Sequence, residues 1–295
     1  MSPGAPQENK TEALQKNARD YFMTLPSDAL TILERTSRTF YIPISALPDR
    51  LREAVASAYL CMRAIDEIED HPTLDPEIKA RELVAISDLL QAQTTVEDFT
   101  HAECVAIFAG HTDEQPEVTT RIDEWACLAP AFIAPRIWEA TAGMAARMAQ
   151  WVLTGWRIET EGDLNRYTYA VAGAVGLLVC DIGAWFDGVQ MHRAHALQFG
   201  RGLQSVNILR NRAVDLTRGV DFYPAGWSNE DMDRYARRNL RLADEYARTL
   251  PPGPFAHFIQ IPLALAMATL DTMAQGEEKL SREAVQELVA RLRQP

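Results

Sequence analysis

Cysteine is scarce in this sequence, and no two of its cysteines stand close together. The four cysteines occupy positions 61, 104, 127 and 180, so the chain contains no C-x-x-C pair. Zinc ribbons use C-x-x-C pairs, and disulfide frameworks are dense in cysteine, so four scattered cysteines in 295 residues argue against both kinds of site. We expect reduced thiols packed in the core.

Positive charge is also in short supply. Lysine and arginine number 29 against 41 aspartates and glutamates, which gives a formal net charge of −12. Nucleic acids and anionic lipid surfaces select basic faces, so this balance argues against nucleic-acid binding and against an electrostatic hold on a membrane. An anionic substrate would need a cation to bridge it to so acidic a protein.

The sequence lacks a recognisable targeting segment. Its first residues do not combine a basic stretch with an apolar one, which is the pattern of a secretory signal. The most apolar run, residues 169–185, is shorter than a membrane span and contains Asp181. We therefore expect a cytoplasmic protein without a transmembrane segment.

Alternating β-branched runs are scarce as well, whereas alanine, leucine, arginine and glutamate recur with helical periodicity. Residues 1–10 are rich in proline, glycine and polar residues and predict a loose tail. No Gly/Ser linker or repeat divides the rest, so residues 11–295 are predicted to form one all-α domain. Helices are predicted near 51–70, 77–92, 97–109, 117–127, 136–157, 163–186, 190–217, 229–249, 256–275 and 281–293.

A first unusual segment, residues 59–70, places polar groups on one helix face. Tyr59, Arg63, Asp66 and Asp70 fall within a stripe about 60° wide on an ideal helix. Asp66 and Asp70 are four residues apart, so their carboxylates repel unless a cation lies between them. Mg²⁺ is held in this way by one or two carboxylates plus substrate phosphates. A solvated acidic helix end is the other interpretation of such a pattern.

A second segment, residues 200–219, carries amides rather than lysine or glutamate on its polar face. Gln204, Asn207, Asn211, Asp215 and Arg218 share a stripe about 80° wide. The two asparagines and the aspartate follow each other at four-residue steps and offer oxygen ligands to a hard cation. A buried amide network between helices explains the same pattern.

A third segment, residues 167–176, is apolar and rich in small side chains. Val171, Ala172, Val175 and Gly176 would let a neighbouring helix approach closely. They would equally let a flexible hydrocarbon chain lie along the helix. The segment alone does not separate these two possibilities.

Together these segments resemble the squalene/phytoene synthase family, whose members join two prenyl diphosphates head to head. The resemblance runs from about Thr36 to Pro224. The matching segments are Ser37 to Phe40 with S-K/R-S/T-F, Tyr59 to Asp70 with Y-x-x-x-R-x-x-D-D-x-x-D, Tyr167 to Gly176 with Y-x-Y-x-V-A-G-x-V-G, Gln204 to Asp215 with Q-x-x-N-I-L-R-D-x-x-x-D, and Arg218 to Pro224 with R-G-R-x-Y-x-P. Each motif alone is weak, but their shared order and spacing are specific.

The resemblance implies a fold, a cofactor and a substrate class. The fold is a single-domain, all-α class I isoprenoid synthase bundle, in which two acidic helices face each other across a central cavity. The cofactor is Mg²⁺, and the substrate is a prenyl diphosphate, farnesyl or geranylgeranyl, that loses pyrophosphate. Release of a lipid product implies transient membrane contact, while the oligomeric state stays open. The implied metal ligands are Asp66, Asp70, Asn207, Asn211 and Asp215.

The resemblance also assigns roles to other side chains. The residues implied to neutralise the departing pyrophosphate or to line the reaction centre are Arg63, Arg210, Arg218, Tyr59 and Tyr167. The residues implied to contact the substrates are Ser37, Arg38, Phe40, Val171, Ala172, Val175, Gly176, Gln204 and Phe222. No protein nucleophile is required for this chemistry, and no Ser-His-Asp or Cys-His spacing is readable in the chain.

Three departures from the family pattern bear on the reaction. Asn211 stands where the second motif normally has aspartate, and Glu67 replaces the second aspartate of the first motif. Val220 and Phe222 replace an arginine and a tyrosine in the R-G-R-x-Y stretch. The asparagine removes one negative charge, and we expect weaker Mg²⁺ binding as a result.

Two alternatives follow from these departures. Asn207, Asn211 and Asp215 also resemble the N-x-x-x-S/T-x-x-x-E/D metal triad of class I terpene cyclases. The protein would then ionise one prenyl diphosphate and cyclise it, or pass the prenyl group to a different acceptor. A non-catalytic descendant that keeps the fold as a binding or assembly protein is the second alternative.

Overall fold

The structure is a computed structural model that describes residues 27–277 and 280–292. The predicted tail at residues 1–10 lies outside the described residues. Within the described ranges the chain contains helices and no strand, which confirms the predicted all-α class. The helices are α1 (Ser27–Thr36), α2 (Arg38–Ser45), α3 (Asp49–Asp70), α4 (Pro76–Ala92), α5 (His101–Ile107), α6 (Glu117–Thr120), α7 (Ile122–Cys127), α8 (Ala134–Leu153), α9 (Glu161–Thr168), α10 (Ala174–Asp187), α11 (Arg193–Thr217), α12 (Asn229–Ala247), α13 (Pro254–Ala274) and α14 (Arg282–Leu292).

Capping side chains explain where several helices begin. The Asp75 carboxylate accepts a hydrogen bond from the Glu77 amide at 2.8 Å and starts α4. Ser228 and Asp231 form a reciprocal capping box at the start of α12. Both starts are readable in the sequence, because a capping residue there precedes acidic first-turn residues.

The sequence prediction missed α1 and α2. Ser37 caps α2 by accepting a hydrogen bond from the Phe40 amide at 3.2 Å. Pro43 lies inside this short helix, although its ring removes a backbone donor. Pro43 therefore does not end the helix.

The predicted helix over residues 163–186 is interrupted by a π turn. Helix α9 leads into the wider turn Tyr169–Gly173, and α10 then continues the same rod. A π turn inserts an extra residue into the helical ladder and is frequent at functional sites. Here it carries the small apolar segment that the sequence analysis singled out.

Helix α3 runs through the middle of the bundle, and its neighbours surround it. Helix α4 packs along α8, and α11 packs along α12 and against the π turn and α10. A separate small cluster of Ile261, Leu265 and Val289 attaches α14 to α13. The large core and this cluster enclose the hollow described below.

Two helical segments among the described residues are long and apolar enough to cross a membrane, Glu161–Asp187 and Pro254–Ala274. In the most apolar windows, 50% and 56% of the residues are buried inside the molecule. Core helices of soluble proteins pass the same test of length and composition. The absence of a transmembrane segment therefore remains a prediction.

Candidate active site

A cavity of about 980 Å³ lies between α2, α3, the π turn with α10, α11, α13 and α14. Most of the residues selected from the sequence share its wall, although they come from distant parts of the chain. The selected residues on the wall are Ser37, Phe40, Tyr59, Arg63, Asp66, Val171, Ala172, Val175, Gly176, Gln204, Asn207 and Arg210. The side chain of Arg38 lies outside the described part of the structure.

On α3, an arginine links the acidic residues of the first motif. Arg63 donates from Nη1 to Asp66 Oδ2 at 2.7 Å and from Nε to Glu67 Oε1 at 3.0 Å. Glu67 therefore shares the arginine with Asp66, although the two carboxylates lie about 100° apart around the helix. Burial, together with the charge of Asp70, raises the pKa of Asp66 to about 7. A cation at this place would hold Asp66 in its charged form.

On α11, the amide groups are in contact with an arginine of their own helix. Arg210 donates to Asn207 Oδ1 at 3.3 Å and to Asn211 Oδ1 at 3.4 Å. Both bonds are long, and Asn207 and Arg210 are exposed. The two amide oxygens therefore remain open to another partner, and they are not locked in a buried network between helices.

Arg218 joins the two motifs. Its Nη1 donates to Asp70 Oδ1 at 3.0 Å, and its Nη2 donates to Asp215 Oδ1 at 2.6 Å. Asp66 and Asn207 lie on the cavity wall, while Asp70 and Asp215 continue the same two helix faces outward from it. We call the opening bounded by Asp66, Asp70, Asn207 and Asp215 the acidic mouth.

The acidic mouth supplies the oxygen ligands that a hard divalent cation requires. In the described part of the chain, no three histidine, cysteine or carboxylate side chains lie close enough to form a ready-made metal site. The carboxylates of Asp70 and Asp215 nevertheless share a single cation, the guanidinium of Arg218. Burial raises the pKa of Asp215. The site therefore fits Mg²⁺. Its carboxylates already surround one positive charge, and amide oxygens lie beside them as further ligands.

Tyr167 was expected to line the reaction centre and Phe222 to contact the substrates, but neither residue is part of the cavity wall. They stack on each other with ring centroids 4.6 Å apart, and Trp151 meets Tyr167 edge-on at 5.4 Å. Both stacked residues are buried. Burial raises the pKa of the Tyr167 phenol well above its usual value. The phenylalanine at position 222 fits this apolar stack, where a hydroxyl would need a partner.

Tyr59 does face the cavity, beside Phe40. The two rings are tilted, with centroids 5.5 Å apart. Burial raises the pKa of Tyr59, so its phenol stays protonated. The pair therefore offers neutral aromatic faces to whatever occupies the cavity.

The small residues of the third segment serve helix packing and the cavity together. A Cβ on Gly176 would lie 1.9 Å from the carbonyl oxygen of Ala196, and one on Gly200 would lie 2.1 Å from that of Ala172. The two glycines therefore bring the backbones of α10 and α11 into contact. Close helix packing is thus confirmed. Gly176 also lines the cavity, and the interpretation that a hydrocarbon chain lies along the segment stays a prediction.

Sequence reasoning missed the part of the wall that α13 and α14 supply. Neither helix carries a recognisable motif, and an apolar helix does not reveal which of its residues face a cavity. The wall residues from these two helices are Phe255, Phe258, Pro262, Leu265, Ala266, Thr269, Arg282, Val285 and Gln286.

Sequence reasoning also missed a buried group next to the acidic mouth. Glu69 is buried on α3, and the indole of Trp156 donates to its Oε1 at 2.6 Å. Trp156 adopts a left-handed backbone conformation with φ of 49°. Lys79 donates to the Glu69 carbonyl oxygen at 2.8 Å. Glu69 appears in the sequence as one more acid of a charged helix end, so no signal marked it.

Comparison with known proteins identifies related sequences. Residues 33–234 match the family model described as squalene/phytoene synthase. The chain is 28% identical to a squalene synthase of Eremothecium gossypii over 291 residues, covering 86% of this chain and 63% of the relative. It is also 28% identical to a squalene synthase of Schizosaccharomyces pombe, covering 81% of this chain and 57% of the relative. The chain thus spans less than two thirds of the length of these relatives.

Solved structures share the fold. One is TcSQS in complex with a ligand, with a TM-score of 0.72 and 22% identity over 89% of this chain and 84% of that chain. Another is a dehydrosqualene synthase in complex with a ligand, with a TM-score of 0.60 and 16% identity over 95% of this chain and 97% of that chain. At these identities the likeness establishes the helical architecture.

Proposed function

Because the chain belongs to the squalene/phytoene synthase family, we propose that it is a Mg²⁺-dependent prenyltransferase. It ionises a prenyl diphosphate, farnesyl or geranylgeranyl, and couples the allylic cation to a second prenyl chain with release of pyrophosphate. The main support is the meeting of two oxygen-rich helix faces at one end of a largely apolar cavity. A diphosphate belongs at such a charged end, and a hydrocarbon belongs in the apolar remainder.

The acidic mouth is the proposed place for the metal. The proposed ligands are Asp66, Asp70, Asn207, Asn211 and Asp215. When bound there, Mg²⁺ neutralises the charge that builds on the departing diphosphate. It would also answer the charge problem of the sequence, because the cation would bridge an anionic substrate to an acidic protein.

Arginines of the chain supply further positive charge for the leaving group. Arg63 and Arg210 line the cavity, and Arg218 stands at the acidic mouth. A guanidinium binds a phosphate through two parallel hydrogen bonds, which fixes its orientation. If Asp70 and Asp215 held Mg²⁺, the Arg218 guanidinium that now pairs with them would be free to contact the diphosphate.

The cavity wall protects the allylic cation. Val171, Ala172, Val175 and Gly176 line it with small apolar groups, so water is excluded from the reacting carbons. The faces of Tyr59 and Phe40 are available to stabilise positive charge. A second prenyl double bond held beside the cation then attacks it, since proximity replaces a bimolecular encounter. The carbocation that results loses a proton, which the departing pyrophosphate can accept.

The departures from the family pattern favour a second candidate, which ionises one prenyl diphosphate and cyclises it or transfers the prenyl group to another acceptor. Asn211 leaves the mouth with one carboxylate fewer, and Phe222 places a phenyl ring where the family has a tyrosine. Asn211 lies on the proposed ligand face of α11, whereas Phe222 lies outside the cavity wall and stacks on Tyr167. Restoring the carboxylate in Asn211→Asp and comparing products tests whether the neutral ligand sets the outcome.

Product analysis tests the proposal. Purified protein is incubated with Mg²⁺ and either farnesyl or geranylgeranyl diphosphate, and we expect a product with twice the donor's number of carbons and at least one pyrophosphate released per coupling. A cyclic product of the donor's own length would replace the proposal by the second candidate. No release of pyrophosphate from either donor would favour a non-catalytic binding protein.

Variants of the acidic mouth test the metal assignment. Asp66→Ala and Asp215→Ala should abolish turnover while leaving the helical circular dichroism unchanged. Asp244→Ala is the matched control, because Asp244 lies on α12 and pairs there with Arg248. Near-normal turnover in either mouth variant would show that the metal assignment is wrong.

A further inference from the structure

The helices around the cavity lead from the acidic mouth to an opposite end of the bundle. The guanidinium of Arg50, at the beginning of α3, lies 5.6 Å from the ring centroid of Trp185, near the end of α10. Asp66 follows Arg50 by 16 residues (66 − 50) on α3, which is about 24 Å along a helix. The end of α10 therefore lies far from the acidic mouth.

The far end of the cavity is closed. Ile182 of α10 and Phe255 of α13 line the cavity there and are only 2% and 5% exposed. At the charged end, the wall residues Asn207 and Arg210 of α11 are exposed. A prenyl chain that places its diphosphate at the acidic mouth therefore points its last carbons at a buried wall. We call Ile182 and Phe255 the floor of the cavity.

The phenyl ring of Phe255 rests directly on the backbone of α10. A Cβ on Gly183 would lie 2.7 Å from Cζ of this ring and 2.8 Å from its Cε1. Any side chain at position 183 would therefore displace the ring. Pro254 occupies the first turn of α13 and fixes φ there, so the helix begins with Phe255 against Gly183. Phe258 also lines the cavity, with its ring centroid 6.3 Å from that of Phe255.

The length of the wall can be compared with the length of a prenyl chain. On the π turn and α10 the wall extends from Val171 to Ile182, and on α3 it extends from Val55 to Asp66. Each stretch covers 11 residues (182 − 171 and 66 − 55), which is about 16 Å along a helix. An extended chain advances about 3.3–3.6 Å for every three bonds, so a farnesyl main chain is about 13 Å long and a geranylgeranyl main chain about 17–18 Å. The wall accommodates the first and is shorter than the second.

We propose that the floor selects the prenyl diphosphate by its length. The ring of Phe255, seated on Gly183, stops the last isoprene unit, so that a farnesyl chain is accommodated and a geranylgeranyl chain is not. The proposal deepens the proposed function and rests on it in one respect, namely that a prenyl diphosphate occupies the cavity with its diphosphate at the acidic mouth.

The contact between Phe255 and Gly183 allows the floor to be moved in two directions. Phe255→Ala removes the ring and lengthens the cavity. In Gly183→Ala the new Cβ forces the ring away from α10, and the ring then moves into the cavity that it lines. The first variant should therefore accept longer chains, and the second should favour shorter ones.

Calorimetric binding of unreactive prenyl thiolodiphosphates in Mg²⁺ tests the floor without turnover. The probes carry geranyl, farnesyl or geranylgeranyl chains. The unaltered chain should bind the farnesyl probe at least about tenfold more tightly than the geranylgeranyl probe. Phe255→Ala should remove most of this difference. Gly183→Ala should lower the affinity for the farnesyl probe, relative to the geranyl probe, by about tenfold.

Phe108→Ala is the matched control. Phe108 is 1% exposed, as deeply buried as Phe255, but it is not part of the cavity wall. Its removal should leave the affinity ratios unchanged. All probes are compared on the same preparation, so the fraction of folded protein cancels in each ratio. Phe255→Leu is a milder second variant, and we expect it to give a ratio between those of the unaltered chain and of Phe255→Ala.

Several outcomes would overturn the floor. They are equal affinity of the unaltered chain for the farnesyl and geranylgeranyl probes, unchanged ratios in both Phe255 variants, and an equal shift in Phe108→Ala. A shift of Gly183→Ala towards longer chains would also overturn it. Length-dependent binding without pyrophosphate release from farnesyl diphosphate would refute the proposed function and leave the floor in place. Absence of binding by all three probes would overturn both proposals.

Discussion

Arg218 is the residue through which the two halves of the acidic mouth are connected. Its guanidinium binds Asp70 on α3 and Asp215 on α11, which are 145 residues apart in the chain (215 − 70). The family resemblance implied a role for Arg218 with the leaving pyrophosphate. The structure adds that the same side chain neutralises two carboxylates that would otherwise repel each other across the mouth.

The variant Arg218→Gln tests this neutralising role. In the presence of a chelator we expect the free energy of unfolding to fall by about 0.5–1 kcal/mol, because a partly exposed ion pair contributes that much. Mg²⁺ should restore most of the loss by taking the place of the guanidinium between the carboxylates. Arg248→Gln is the control, since Arg248 pairs with Asp244 on the surface of α12, and Mg²⁺ should not affect it. Equal stability of Arg218→Gln and the unaltered chain in chelator would contradict this role.

Glu69 differs from the neighbouring acids because it is almost completely buried. Burial is the largest cause that raises its pKa, to about 8, and the charges of Asp66 and Asp70 act in the same direction. The indole of Trp156 is its hydrogen-bond partner. At neutral pH the side chain therefore keeps its proton in the folded protein.

This raised pKa makes stability depend on pH. An unfolded chain releases the Glu69 proton near pH 4.5, whereas the folded chain keeps it to about pH 8. The unfolded state binds fewer protons in this window, so the free energy of unfolding falls as pH rises through it. Denaturant titrations of metal-free Glu69→Gln should show a smaller fall than the unaltered chain. The exposed control Glu245→Gln should keep the full fall, and an unchanged slope in Glu69→Gln would show that Glu69 is not the source.

At the scale of elements, the contact between α10 and α11 fixes the shape of the cavity. Gly176 and Gly200 bring the two helix backbones together, each facing a carbonyl oxygen of the other segment. This contact fixes the position of the α11 motif residues relative to the apolar π turn. Glycine is required here for close approach, and the backbone angles of both residues are ordinary helical ones.

The substitution Gly176→Ala measures this contact. Its Cβ would lie 1.9 Å from the Ala196 oxygen, so the helices must separate. We expect a loss of about 1–3 kcal/mol in the free energy of unfolding, as for other overpacked cores. Gly162→Ala is the matched control on α9, where the new Cβ would lie 3.4 Å from the Thr160 hydroxyl. Chemical denaturation should show the control unchanged or slightly more stable, and equal effects of the two substitutions would contradict the close contact.

At the scale of the whole molecule, an acidic chain encloses a cavity with one charged end. The formal charge of −12 opposes the binding of a diphosphate unless a cation accompanies it. Mg²⁺ and pyrophosphate should therefore stabilise the protein together more than either does alone. The stabilisation acts on the folded state, because the acidic mouth exists only when α3 and α11 are packed.

Thermal unfolding measures this linkage. A ligand at about one hundred times its dissociation constant adds about 2.7 kcal/mol, which corresponds to a rise of about 5–10 °C in melting temperature for a chain of this size. Chelator should reverse the rise, and Asp215→Ala should abolish it. The surface control Asp244→Ala should retain it. An equal rise with pyrophosphate alone would show that the arginines bind the diphosphate without metal.

The sequence by itself determined the structural features that depend on residues close together along the chain. Helix starts at Asp75 and Ser228 follow from capping groups within the next few residues. The alignment of Asp66 with Asp70, and of Asn207 with Asp215, follows from the fixed turn of the α-helix. Family motifs then indicated which helix faces belong to one site, and twelve of the residues chosen in this way lie on the cavity wall.

Only the tertiary structure decided which groups meet across helices. It placed Arg218 between Asp70 and Asp215, buried Tyr167 against Phe222, and completed the cavity with α13 and α14. The physical reason is range: helical geometry is set by contacts three or four residues apart, whereas the approach of two helices depends on how all the side chains between them pack.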